Sequence, residues 1–481
     1  MGNVNIPSTL QNKVAQKKSI HNSSSTVFFA VYNQEAGIDT EITLLNHFLL
    51  KRGITDVIAT IEIRNEDGTL LKSLQLSMDE RRSYSIRLGD YLDSIFIGSI
   101  YAFFQSNENL AVPFCAVMCS IKSIDSVCGV HTYGRRLEHN ELGSQLDNKN
   151  TIETGWTARD TNTVNSFAVL HGGAFKLDLK VKLEITNNHS EVILLQKNFQ
   201  LEPFGTLVLI TQQLSKDIVS HLNGKKGHIK VYIDGLNGIF PRMLCGNYKN
   251  TTNELNRPTH AQEIQFTHTN FDFSTINQPD AGGNIGYINQ PSLPEGYGIV
   301  YPVDTHKSIT IEGESYKSNS MHRISIEEMS QVEVKTKNEN LPSRFVAAAV
   351  GKWHGASIES ECSTGTFIED YLKVSCHWHW GLLKPGFENG ESIISVILNK
   401  FDRKEDLSRT IKFQLFDENK LLFEKKIFID DHKKISTKDI FSKEKPTGSV
   451  WYVFSGDCLE DLNIFSTFYP VNKAGFVEHA F

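Results

Sequence analysis

A loosely repeated phrase constrains this chain more than any single motif in it. An apolar and aromatic strand, usually opened by Gly or Ser, runs through a short polar turn, often ended by Pro, into a second strand. Copies begin at Gly98 (GSIYAFFQSNENLAVPF), Gly227 (GHIKVYIDGLNGIFPRM), Ser330 (SQVEVKTKNENLPSRF) and Gly448 (GSVWYVFSGDCLEDLNIF). Repetition on the scale of one small domain implies an array of similar β modules, each with a core of its own. Length agrees, because 481 residues with 40% hydrophobic content suit three or four domains of roughly 100–200 residues.

Period-two patterning fills the space between the copies. Phe175, Leu177, Leu179, Val181, Leu183 and Ile185 alternate with Lys176, Asp178, Lys180, Lys182 and Glu184, and no helix can hold the six apolar residues on one face. Ile61 and Ile63 alternate with Thr60, Glu62 and Arg64 before an Asp67-Gly68 turn, the signature of a half-buried hairpin. Ile411, Phe413 and Leu415 do the same before Asp417-Glu418-Asn419. Short helical turns are expected near Leu92, Leu214 and Ile440, just ahead of the repeated phrase.

The expected fold is all-β: about four tandem antiparallel β-sandwich modules. In strand length, turn spacing and Gly-led strands they resemble the immunoglobulin and fibronectin type of sandwich, a likeness of architecture that many functions share. The predicted order is a polar arm at 1–25, module 1 at 26–137, module 2 at 155–274, module 3 at 297–370 and module 4 at 376–481. The third is expected to be truncated, since only SITIEGE and HRISIEE precede its copy of the phrase. Polar residues 138–160 and the Gly, Pro and Asn-rich 275–297 read as linkers.

Net charge is −7, so no overall field draws nucleic acid or an anionic membrane to the chain, and neither is expected as a partner. No early apolar run has the length of a secretory signal, and Ile6 stands where a myristoylation pattern needs Ser or Thr. Seven cysteines are few and odd in number, unlike a disulfide scaffold. A cytoplasmic setting is expected, with signal-independent export or assembly into a particle as alternatives. Cys115 and Cys119 are read as buried thiols on one strand face.

Three groups of residues carry possible chemistry. In Cys376-His377-Trp378-His379-Trp380, strand geometry sets His377 and His379 on one face, an H-x-H pair that one ion could bridge. With no third ligand nearby in sequence, no metal is assigned, and the preferred reading buries the tryptophans. The rival reading makes Trp378 and Trp380 a ligand-stacking surface, which fails if they are buried. A histidine recurs near the end of three modules: His131, His268 and His479. It is expected to be structural, because catalytic groups converge on one point and these belong to different modules.

The enlarged segment from Phe240 to Phe273 is the third group. Arg242 has an equivalent in Arg344 of the next copy, suggesting an anion contact or a paired guanidinium. Arg242, His268 and Asp272 are the candidate acid–base set, although a structural role is preferred. Nucleotide-binding and common hydrolase motifs are missing: there is no G-x-G-x-x-G after a strand, no G-x-x-x-x-G-K-[ST], no G-x-S-x-G and no H-E-x-x-H.

The leading expectation is therefore a non-enzymatic multi-module protein that binds a glycan or protein partner without a cofactor, with a homo-oligomer as an arrangement open to it. One rival is an enzyme of sugar or polysaccharide metabolism with its site near 240–273. Another is a structural subunit of a phage or surface appendage.

Overall fold

The sixth and seventh strands of every module are the repeated phrase. The sixth strands are Phe96–Ser106, Gly227–Asp234, Ser330–Lys335 and Val450–Ser455. The seventh are Val117–Lys122, Leu244–Asn250, Ala347–Gly351 and Leu462–Pro470. These positions come from a computed structural model, which describes residues 24–106, 116–133, 152–235, 243–250, 257–268, 270–271, 285–301, 308–317, 320–335, 347–367, 376–399, 408–457 and 459–480.

The described strands form eight sheets that pair into four β-sandwich modules of one topology. In each module the first, sixth, third and fourth strands make one sheet in that spatial order, extended beyond the first strand in modules 2 and 3 by a short ninth strand (Asn270–Phe271 and Gly365–Phe367), and the fifth, second, seventh and eighth make the other. The phrase thus crosses from one sheet to its partner rather than folding as a hairpin. Neighbouring strands are antiparallel throughout, as in Ile61 beside Leu74 and Ala102. Each core lies between the two sheets. In module 2, Leu179, Val181, Leu183 and Ile185 of the third strand (Leu177–Thr186) pack against Ile229, Val231 and Ile233 of the sixth. The predicted alternation holds here except at Phe175, which precedes the strand and is exposed.

Turn chemistry is where the sequence placed it. Asp67 Oδ1 accepts from Thr69 N at 2.9 Å, and Gly68 has φ +85°, the left-handed region glycine favours. A Cβ at Gly68 would lie 2.0 Å from the Pro203 carbonyl oxygen, so this turn also fits closely against module 2. Asp417 Oδ1 accepts from Asn419 N and Lys420 N at 3.0 and 2.9 Å. Short helical turns occupy Leu88–Asp90, Thr211–Leu214, Asp217–Leu222 and Lys438–Lys443. Two more helical turns occupy His47–Arg52 and Pro258–His260, away from the predicted places; Asn46 caps the first and Gly53 ends it in the left-handed region.

The third module corrects one expectation. It has all eight strands, beginning with Ile285–Gln290 and Tyr297–Val300, and the first of these lies inside the stretch read as a linker. Its strands are short instead: Ser308–Ile311 and Glu314–Lys317 hold four residues each, against ten in each of their module 2 equivalents. Glu312 and Gly313, both at positive φ, make the tight turn between them. Module 2 likewise opens earlier, at Ile152–Ala158, within the other stretch assigned to a linker.

The modules close into a ring. The eighth strands, Val127–His131, Ala261–His268, Ser360–Ser363 and Phe476–His479, each pack against those of the modules on either side, and the last meets the first. An eighth strand is a sheet edge, and an exposed edge invites foreign pairing. Ring closure covers all four.

Each junction has its own bonds. Ser126 Oγ accepts from Ile264 N at 2.8 Å and donates to Ile264 O at 3.0 Å between modules 1 and 2. Glu263 Oε1 and Oε2 accept from Ile358 N and Ser357 N at 2.7 and 2.9 Å between modules 2 and 3. Ser292 N donates to Ser395 Oγ at 2.9 Å between modules 3 and 4. The closing junction pairs residues more than 300 positions apart: Ser126 bridges to Ala474, Glu41 Oε1 accepts from Gly386 N at 2.6 Å, and the Ser85 and Ser449 hydroxyls lie 3.0 Å apart. Leu45, Ala116 and Met118 of module 1 share an apolar cluster there with Trp380, Leu382, Phe416, Trp451 and Val453 of module 4.

Candidate functional site

Ring closure gathers the recurring histidines at the axis. His131, His268 and His479 stand at the ends of three eighth strands. The His131 ring lies 4.4 Å from those of His268 and His479, edge to face with each, and His268 lies 5.7 Å from His479. One ligand nitrogen from each falls within 4.8 Å of the other two. The expectation that these residues belong to separate cores is thereby corrected: equivalent positions of an array that closes on itself meet at its centre.

Two side chains complete the cluster. Glu478, buried beside His479, accepts at Oε1 from the His131 side, 2.7 Å from Nδ1. The same oxygen lies 3.3 Å from His479 Nδ1 and 3.1 Å from His479 N. Cys362, on the third module's eighth strand, places Sγ 3.9 Å from His479 Nδ1. Burial and the nearby Glu478 carboxylate push its thiol well above the ordinary range, against the His479 backbone N–H. Every module thus contributes to the axis: His131 from the first, His268 from the second, Cys362 from the third, Glu478 and His479 from the fourth. His131, His268, Glu478 and Cys362 are buried, whereas the His479 side chain is 29% exposed.

Of the proposed acid–base set, His268 is in this axial cluster, while Arg242 and Asp272 lie outside the described residues, as does Arg344, the candidate anion contact. The H-x-H segment is elsewhere. His377 is exposed, with Nδ1 3.2 Å from Gly456 O and 3.6 Å from Asp457. His379 Nε2 lies 3.1 Å from Leu459 O and 3.5 Å from Cys376 Sγ. Among the described residues, the groups able to hold a metal include neither of them.

Trp380 is 8% exposed and sits 5.8 Å from Trp451 in the closing junction. Its burial removes it as a stacking surface. Trp378 is half-buried in the same junction, with Lys51 Nζ 5.2 Å above its ring. The Cys115 half of the cysteine pair is outside the described residues; Cys119 is buried, its Sγ 3.7 Å from Phe29 O.

The described free cysteines divide by environment. Burial drives Cys119, Cys128, Cys245 and Cys362 upward. Burial also pushes Cys376 up, but the His379 hydrogen bond and charge and the Trp378 backbone, helped by Lys51, outweigh it, and its thiol ends below the ordinary range. Since the thiolate is the reacting form, iodoacetamide should alkylate Cys376 before the other four in the native protein, read by peptide mass spectrometry. Alkylation of Cys128 or Cys245 at the same rate would contradict the described packing.

No family model matches the chain, and no curated protein matches it. A calcium-binding mutant of Bacteroides uniformis β-glucuronidase 2 is similar at 11% identity over 52% of this chain and 26% of its own, with a TM-score of 0.12. A Bacteroides uniformis β-glucuronidase structure is similar at 10% identity over 54% and 27%, with a TM-score of 0.13. This chain spans about a quarter of the length of those two enzymes. A tetra-tandem repeat from the extending region of a large adhesion protein is similar at 9% identity over 89% of this chain and 91% of its own, with a TM-score of 0.10. No helix among the described residues is long and apolar enough to cross a membrane. The chain is a multi-module β-sandwich protein.

Proposed function

We propose that this is a non-enzymatic binding scaffold whose partner is a protein, taken up along the outward sheet edges. One observation carries this reading. The ring covers the eighth-strand edges, but the fourth strands lie at the opposite edges and expose large apolar side chains in three of four modules. They are Leu70 and Leu71 of Leu70–Ser77, Val192 and Leu194 of Val192–Leu201, and Leu421 and Phe428 of Leu421–Ile429.

An unpaired edge offers backbone donors and acceptors in register for an added strand, while exposed side chains supply selectivity. These edges are also basic on an acidic protein. Lys72 and Lys197 are the charges of the first two, and Lys425 and Lys426 outnumber Glu424 in the third. Lysines on an edge blunt pairing with an identical edge, so charge complementarity favours an extended, apolar segment with acidic side chains over a second copy. A glycan partner has less support, because Trp380 is buried and Trp378 half-buried.

A peptide library selected on the immobilised full chain should enrich acidic, apolar, β-prone sequences. Leu194→Lys and Phe428→Lys should weaken the enriched peptides at least tenfold, about 1.4 kcal/mol, while a glycan array remains blank. Equal binding by the variants, or saturable glycan binding without peptide binding, would overturn this reading.

A further inference from the structure

We propose that His131, His268 and His479 bind one divalent cation of the zinc class at the ring axis, tying the modules together. The proposal is independent of the partner reading above. Three imidazoles converge from three separate sandwiches, and one nitrogen of each lies within 4.8 Å of the others. A triangle of at most that side places a central ion no more than about 2.8 Å from each corner, and a zinc–imidazole bond is about 2.0–2.1 Å. Each ring therefore closes by at most roughly 0.7 Å, within the reach of side-chain rotation. Zinc, cobalt(II) and nickel(II) suit imidazole donors, whereas magnesium and calcium require oxygen.

The surroundings have the form such a site requires. Metal-binding histidines commonly carry a carboxylate on the other ring nitrogen, which fixes the tautomer and orients the ring. Glu478 does this for His131, 2.7 Å from Nδ1. The fourth module supplies both this carboxylate and His479.

A second donor group adjoins the first: the ligand atoms of Cys362, Glu478 and His479 lie within 4.8 Å of one another, and the two groups share His479. The exposed flank of His479 is the entry path. An ion here acts as a structural clasp, because it links sandwiches that otherwise meet through side-chain packing and scattered hydrogen bonds.

The test uses the full chain stripped with EDTA, then titrated with zinc chloride by calorimetry and with cobalt chloride by absorption. The expected result is one ion per chain, a raised melting temperature and cobalt d–d bands. His479→Gln, at the accessible ligand, and His268→Ala should each weaken zinc binding at least a hundredfold. His377→Ala with His379→Ala should leave it unchanged. Absence of saturable one-to-one binding by the folded chain would overturn the site, as would loss of binding in the His377/His379 variant. A folded His479→Gln protein that retains full affinity would do so too.

Discussion

Replacing Trp451 by alanine is expected to part the first and last modules. The side chain is fully buried, in a cluster that joins Leu45, Ala116 and Met118 of module 1 to Trp380, Leu382, Phe416 and Val453 of module 4. Removing a buried tryptophan costs about 3–5 kcal/mol through lost transfer energy and the cavity left behind. Here the cavity opens at a junction between sandwiches. Most of the loss should therefore appear as module separation, ahead of unfolding within any one core. A four-module chain need not melt in one step, so calorimetry is the suitable readout: a new transition below the main one is expected. Trp451→Phe is the control. The indole Nε1 has no partner among the described residues, so phenylalanine loses volume without breaking a hydrogen bond and should cost far less. Similar melting profiles for the two variants would contradict the role assigned to this junction.

Acidification should act through a second junction. His171 ends the second strand of module 2 (Val164–His171), with Nε2 2.7 Å from Tyr133 OH of module 1 and Nδ1 3.3 Å from Thr206 Oγ1. Burial drives its imidazole down to about 3, whereas in the unfolded chain it titrates near 6.5. The unfolded state thus takes up a proton that the folded state refuses. Stability is full above about pH 6.5 and falls progressively toward pH 3, and at 1.36 kcal/mol per pH unit the complete loss is about 5 kcal/mol. His47, driven down to about 4 by burial, acts in the same direction. The melting temperature should therefore drop steeply between pH 7 and pH 4.5. His171→Gln, which retains polar ends but cannot titrate in this range, should flatten that slope. Parallel slopes for the two proteins would contradict the assignment.

The module architecture was legible because it rests on local patterns. Alternation through Leu177–Ile185, the Asp67-Gly68 turn and the fourfold phrase all report contacts near in sequence or repeated along it. The opening strand of the third module was hidden by composition: Ile285–Gln290 lies in a stretch rich in Gly, Pro and Asn, where Ile285, Tyr287 and Ile288 are too few to stand out. Closure was not legible, because Leu45, Met118 and Trp451 look like ordinary core residues and nothing local names a partner more than 300 residues away.

The axial cluster did leave a signal. A histidine at the same place in three modules reads as structural, since each belongs to a different module and only modules that fold back on one another bring such residues to one point. In a ring, symmetry brings such positions together. The fourth position was harder to see, because Cys362 occupies it in the sequence SECSTG. Trp378 and Trp380 drew attention as an aromatic pair, although their main role is in the closing junction.

Closure of the four modules can be tested directly through Ser85 and Ser449, whose hydroxyls are 3.0 Å apart across 364 residues of chain. A Ser85→Cys/Ser449→Cys protein, oxidised mildly at high dilution, should form an intramolecular disulfide. The bond would be read as a mass 2 Da lower, from the loss of two hydrogens, with the two peptides linked after digestion and no dependence on protein concentration. If the thiols remain free, or couple only between molecules, the modules do not close into a ring.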